Sequence, residues 1–191
     1  MFEGKVIGFA LTGSFCTLES AIDRMEQLAK NGCKIIPVVS YSVASTDTRF
    51  GKASDFIDRI ERICKCTALK TIVDVEPIGP KKLLDILVVM PCTGNTMAKL
   101  YCGITDTPVT MACKAHLRNG RPLLIAPATN DGLSMNAKNI GGLMNIKNIF
   151  FVPFGQDDCH KKPNSITADP DMLIPAIEKA LSSECFQPQL I

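Results

Sequence analysis

The sequence predicts an α/β fold, a flat three-layer sandwich in which a mainly parallel sheet carries helices on both faces. Three observations predict it. Short uninterrupted apolar runs recur along the chain, as strands buried on both faces require. Stretches with helical spacing of apolar residues alternate with them. Glycine and hydroxyl residues crowd the junctions at Thr12-Gly13-Ser14 and Thr93-Gly94-Asn95-Thr96, where a strand gives way to a helix.

Val6 to Leu11 reads as the first strand, and Leu18, Ala21, Ile22, Met25, Leu28 and Ala29 mark the helix after it. Asn31-Gly32 stops that helix, and Ile35 to Val39 forms the second strand of a βαβ unit. Tyr41 to Lys52 is polar and rich in hydroxyls, so it reads as a loop before a helix marked by Phe56, Ile57, Ile60, Ile63 and Cys64. Leu69 to Pro80 suits either a short strand or a helix end. Ile86 to Met90, closed by Pro91, is the third strand, and Leu123 to Ala126 the fourth, with a helix at Met111 to Leu117 between them. A helix near Met135 to Ile146 leads to a fifth strand at Ile149 to Phe154, a long loop to Asp169, and a closing helix carrying Met172, Leu173, Ile177, Ala180 and Leu181. Without a repeat or linker, the 191 residues are expected to form one domain, 1–191.

Composition narrows the function. The 21 basic and 19 acidic residues are dispersed and nearly cancel to +2, so neither a nucleic-acid nor a membrane footprint is expected. Val6 to Leu11 is too short to span a bilayer and lacks the flanks of a secretory signal, which points to a cytoplasmic protein. Nine cysteines without paired CxxC units, and two histidines distant from Cys64 and Cys66, make a metal site an unfavoured reading; the thiols read as small buried apolar groups.

In a doubly wound, flavodoxin-like sheet of order 2-1-3-4-5, ligands sit beyond the carboxyl ends of strands one and three, where the strand order reverses. The loops at Gly13 and Asn95 fall there. Glycine allows close approach to a phosphate, and the free amides and dipole of a helix start favour its charge. Either loop alone reads better as an ordinary capped turn, and the presence of both at the switch point reverses that preference. Neither matches GxGxxG or GxxxxGK[ST], so a mononucleotide with one phosphate and a flat ring is preferred to a dinucleotide or triphosphate.

Thr12-Gly13-Ser14-Phe15-Cys16, the block Pro91-Cys92-Thr93-Gly94-Asn95-Thr96 with Lys99, Gly103 and Asp106, and Pro127-Ala128-Thr129-Asn130 together resemble the flavoprotein family of cysteine decarboxylases and flavin prenyltransferases. The resemblance implies flavin mononucleotide (FMN). A more specific similarity, to the family of bacterial dipicolinate synthase B subunits, covers Ser45 to Gly51, Asn119 to Pro122, Asn148 to Asp158 and Lys161 to Ser165. It implies a cytoplasmic protein, acting in the mother cell during sporulation, that works with an NADP-using A subunit to oxidise a dihydro or hydroxytetrahydro precursor to dipicolinate. It also implies a homo-oligomer, a trimer or a multiple of trimers. The chain departs from the decarboxylases: Tyr41 to Asp55 holds no histidine base, position 129 of the PxMN motif is threonine, and no late cysteine-bearing substrate clamp is recognisable.

The resemblance nominates Gly13, Ser14, Ser40, Pro91, Cys92, Thr93, Asn95 and Thr96 for the cofactor and Asn130 for a small dicarboxylate, and Arg49 joins Asn130 because its polar loop should cover the carboxyl edge of the sheet. It names no catalytic residue. Ser40 reads otherwise as a turn residue, Asn95 as a helix cap, and Cys92, which lacks a base or CxxC partner, as packing rather than a redox thiol. Arg49 suits a carboxylate as a planar guanidinium, or is solvated. Lys161 and Lys162 read as a wet loop, a lure for a dianion, or a docking point for the A subunit. His116, between Ala115 and Leu117 on a helix, reads as structural.

Overall fold

The computed structural model describes residues 2–191. Five parallel strands run β2(Lys34–Val39), β1(Val6–Leu11), β3(Ile86–Cys92), β4(Leu123–Thr129), β5(Ile149–Phe151). The order is the flavodoxin-like one, and the first three residue pairs of β1 with β2 are Val6↔Lys34, Ile7↔Ile35 and Gly8↔Ile36. Every residue of β3 is buried, as is nearly every residue of β1 and β4, which is why those strands lack the alternation of a half-exposed sheet.

The helices divide between the faces because right-handed crossovers run one way from β1 to β2 and the other way from β3 through β5. α1(Phe15–Lys30) turns Leu18, Ala21, Ile22, Met25 and Leu28 inward, one stripe at helical spacing, and packs with α3(Ala53–Cys64) and with the 3-10 turn Pro170–Met172 that leads into α8(Leu173–Leu181). Between β2 and α3 lies a short helix, α2(Tyr41–Ser45), within the segment expected as loop. The ambiguous region resolves as one helical turn, α4(Ile72–Val75), and a 3-10 turn at Glu76–Ile78. Thr71 and Asp74 form a reciprocal capping box that a short strand could not satisfy. α5(Gly94–Tyr101), α6(Pro108–Leu117) and α7(Ala137–Met144) cover the opposite face. α6 begins earlier than its apolar spacing suggests, because Thr107 and Thr110 form another capping box and Pro108 occupies the first turn.

The main departure from expectation lies after β5. The fifth strand is short, and the supposed long loop is a hairpin of β6(Phe154–Asp158) and β7(Lys162–Ala168). β7 runs antiparallel to the exit of β4, pairing Ala128↔Thr167 and Thr129↔Ile166, so β4 has β5 beside its first half and β7 beside its end. The hairpin residues are polar and half exposed, so they carry no apolar pattern; backbone pairing with β4 and the Asp158 carboxylate, which accepts from the amides of His160 and Lys161 at 3.1 and 3.0 Å, shape the turn. The end of the chain extends the hairpin's edge: the Phe154 amide donates to the Gln189 carbonyl at 3.1 Å, and the Ile191 amide to the Phe154 carbonyl at 3.2 Å. No helix among the described residues is long and apolar enough to cross a membrane.

Candidate functional site

The carboxyl ends of β1, β3 and β4 open into two adjoining hollows. The larger, about 690 Å³, lies between the loops after β1, β3 and β4, the loop before α3, and the β6–β7 hairpin. That volume is within the roughly 300–1,000 Å³ usual for small-molecule sites. The smaller, about 210 Å³, lies between the starts of α1, α2, α5 and α6. Gly13, Thr93 and Asn95 line both.

Of the residues nominated from sequence, Gly13, Ser14, Arg49, Thr93, Asn95 and Asn130 line the larger hollow, and Ser40 and Thr96 line the smaller. Pro91 and Cys92 line neither. Both are buried beneath the loop, where Pro91 gives its carbonyl to the Thr12 hydroxyl at 2.7 Å. Burial holds the Cys92 thiol far above its ordinary range, with the neighbouring Cys113 adding to the effect, so Cys92 remains protonated and packs as an apolar group.

Local hydrogen bonds separate capping residues from free ones. Thr93 caps α5, accepting from the Thr96 amide at 3.3 Å, and its hydroxyl lies 3.0 Å from that of Thr96. Asn95 is therefore not the cap; it stands exposed in the first turn, facing both hollows. Ser40 caps α2, accepting from the Val43 amide at 3.4 Å, and its hydroxyl lies 3.0 Å from that of Ser42. Ser14 does not cap α1 through its side chain; its hydroxyl accepts from Thr17 at 3.0 Å at the mouth of the larger hollow.

Chain packing requires both loop glycines, whatever binds beside them. A Cβ on Gly13 would come within 2.7 Å of the Ser42 hydroxyl, and one on Gly94 would collide with Asn136, Thr129 and Asp131. Beyond Gly94, the Asp131 carboxylate accepts from the Thr129 hydroxyl on one oxygen and from the Asn136 amide at 2.7 Å on the other, and Asn136 accepts from Asn139 at 2.8 Å. Asn136 and Asn139 are buried, and this chain of bonds satisfies them.

Sequence reasoning marks Thr12 only as part of its loop, without its role, and misses Ser42 and the Asp131 chain. Thr12 is buried and ties two loops: its hydroxyl donates to Pro91 and accepts from the Thr93 amide at 3.0 Å. A hydroxyl at the very end of an apolar strand was its only signal. The hairpin adds Asp157, Lys162 and Ser165 to the larger hollow. Lys162 pairs with Asp157 at 2.6 Å, which raises its ammonium pKa, and the same carboxylate oxygen accepts from Ser165 at 3.3 Å. His116 lies away from both hollows, buried, with Nε2–H donating to the Pro122 carbonyl at 2.9 Å.

The donor set fits a phosphorylated planar ring. Ser40, Ser42, Thr96 and Thr107 offer hydroxyls in the smaller hollow beside the Lys99 ammonium, which is held by both Asp106 oxygens at 2.9 Å. Phe15, Phe50, Ala128 and Ile166 give the larger hollow apolar wall.

Comparison with known proteins defines the class. A family model described as Flavoprotein matches residues 1–177, and the chain belongs to that family. Within it, the chain is 49% identical over 189 residues to the dipicolinate synthase B subunit of Bacillus subtilis (strain 168), covering 99% of this chain and 94% of that protein. The crystal structure of the dipicolinate synthase B subunit from Bacillus halodurans C agrees with a TM-score of 0.91 at 45% identity, over 100% of this chain and 97% of that one. The FMN-dependent cysteine decarboxylase SpaF shares the fold, with a TM-score of 0.66 at 18% identity over 95% of this chain and 98% of its own.

Proposed function

We propose that this chain is the B subunit of a dipicolinate-forming oxidoreductase, holding FMN across the two hollows and acting with an A subunit that carries NADP. The observation that carries the FMN assignment is the joining of a hydroxyl-lined hollow with a lysine to a larger, partly apolar one at the β1/β3 switch point. Kinship with the dipicolinate synthase B subunits supports the pathway and the partner. The FMN dependence of the more distant SpaF supports the cofactor.

In this reading Ser40, Ser42, Thr96 and Lys99 hold the phosphate, and the first amides of α5 add donors that have no partner within the helix. Asn95, free of capping duty, hydrogen-bonds the ring or its chain. Arg49 takes a carboxylate of the substrate, and Asn130 hydrogen-bonds the substrate in the same hollow. Flavin, when bound, supplies a two-electron acceptor, and the protein contributes orientation and electrostatics. The overall reaction removes a hydride and a proton from the dihydropyridine as its ring becomes aromatic. No histidine lines either hollow among the described residues, which disfavours a histidine-based decarboxylase or prenyltransferase.

Purified protein is expected to show flavin absorption, and denaturation to release a molecule of the mass of FMN. Thr96→Val combined with Ser40→Ala is expected to weaken FMN binding about tenfold through loss of two hydroxyl donors. Colourless protein that takes up no added FMN would falsify the cofactor assignment.

A further inference from the structure

We propose that the larger hollow grips a planar dicarboxylate at two points, Arg49 on one wall taking one carboxylate and Lys162 on the hairpin taking the other. This deepens the preceding reading and rests on it for the identity of the substrate. The two cations are far apart in sequence and come from different elements, the loop before α3 and the first residue of β7, yet they border one cavity. Two cations held on separate walls match two anionic groups separated by a rigid ring, and they discriminate against a single carboxylate.

The cavity lining carries two cations, Arg49 and Lys162, and two carboxylates, Asp131 and Asp157, so preference for a dianion rests on where the cations stand rather than on net charge. Arg49 makes no ion pair among the described residues. Its guanidinium carbon lies 4.8 Å from the centre of the Phe50 ring, a contact that orients the planar group and leaves its edge available to a carboxylate. The two carboxylates on the cavity wall differ: Asp157 is paired with a cation, whereas Asp131 is held by neutral donors and keeps its charge. Asp131 accepts from Thr129 and Asn136. Asp157 accepts from Lys162 and Ser165 on the same oxygen, so it holds the ammonium over the cavity while two of its three protons remain for a ligand. Lys161, beside it, does not line the cavity and serves as the matched control.

The test is calorimetric titration of the full chain, with and without added FMN, using pyridine-2,6-dicarboxylate and pyridine-2-carboxylate as probes. The dicarboxylate is expected to bind at least tenfold tighter than the monocarboxylate. Arg49→Gln and Lys162→Met should each weaken it at least tenfold, Lys162→Arg should recover most of the loss, and Lys161→Met should change it less than twofold. Circular dichroism of each variant confirms folding. Equal affinity for the two probes, an unchanged Lys162→Met or Arg49→Gln, or a folded wild type that binds neither probe overturns the clamp. Visible absorption of the same samples reports flavin separately: dicarboxylate binding without flavin retention supports the clamp and removes the FMN assignment, whereas flavin retention without dicarboxylate binding overturns the clamp alone.

Discussion

At the scale of single residues, burial decides what the titratable groups do. His116 has one neutral hydrogen bond and almost no solvent, and desolvation pushes its pKa down to about 4, with Arg121 nearby acting in the same direction and the Pro122 carbonyl and Asp85 opposing. An unfolded histidine titrates near 6.5, so between about pH 6.5 and 4 the unfolded chain takes up a proton that the folded one refuses. Stability should therefore fall as pH drops through that window, by about 3 kcal/mol in all from this residue, and level off below it. His116→Gln keeps a donor for Pro122 and removes the titration; urea melts at pH 7, 5.5 and 4 should show a flatter slope for the variant. A variant with the wild-type slope would mean that other groups set the pH dependence.

At the scale of elements, close backbone approach fixes the placement of the helices around the site. α5 carries Asn95 and Thr96 just after its cap Thr93, and its end rests on α7, where a Cβ on Gly142 would collide with the Tyr101 ring. Gly141, its neighbour, would meet nothing within 4 Å and is exposed. Gly142→Ala should thus destabilise the protein by about 1–3 kcal/mol through overpacking, while Gly141→Ala should stabilise it by about 0.5–1 kcal/mol through helix propensity. Opposite signs in paired thermal melts are the expected result; equal shifts would show that the ring simply swings aside. The β6–β7 hairpin obeys a different constraint, because its register comes from the exit of β4 and residues 189–191 pair with its outer edge at Phe154.

At the scale of the whole molecule, a sheet whose strand order reverses between β1 and β3 leaves a crevice there, and the hairpin raises one wall of it into a cleft. Division of the chemistry between this chain and the proposed A subunit belongs to this scale. When the chain is mixed with the A subunit proposed as its partner and a dihydropyridine dicarboxylate, the proposed function expects NADP reduction to require both proteins, to drop when FMN has been stripped and to return when it is added back. NADP reduction independent of FMN would make this chain a substrate-binding partner. Light scattering of the isolated chain should give a trimer or a multiple of one; a monomer would remove the oligomer from the reading.

The five parallel strands and both loop-to-helix switches are legible because each is encoded locally, by an apolar run, a helical stripe, or a glycine and hydroxyl at a junction, whereas the strand order follows from the fold class. Ser40 and Asn130 follow from family resemblance and Arg49 from its polar loop at the carboxyl edge of the sheet, and all three line the two hollows. Sequence by itself determined the doubly wound sheet, the crevice at Gly13 and Asn95, and the family. Tertiary structure alone decided that Cys92 and Pro91 lie beneath the site, that Thr12 ties its loops, and that a polar stretch without a strand pattern becomes the hairpin carrying Lys162 and Asp157. The reason is physical: those roles depend on contacts between segments distant in the chain, and hydrogen bonding of a half-exposed backbone leaves no periodic trace in side-chain hydropathy.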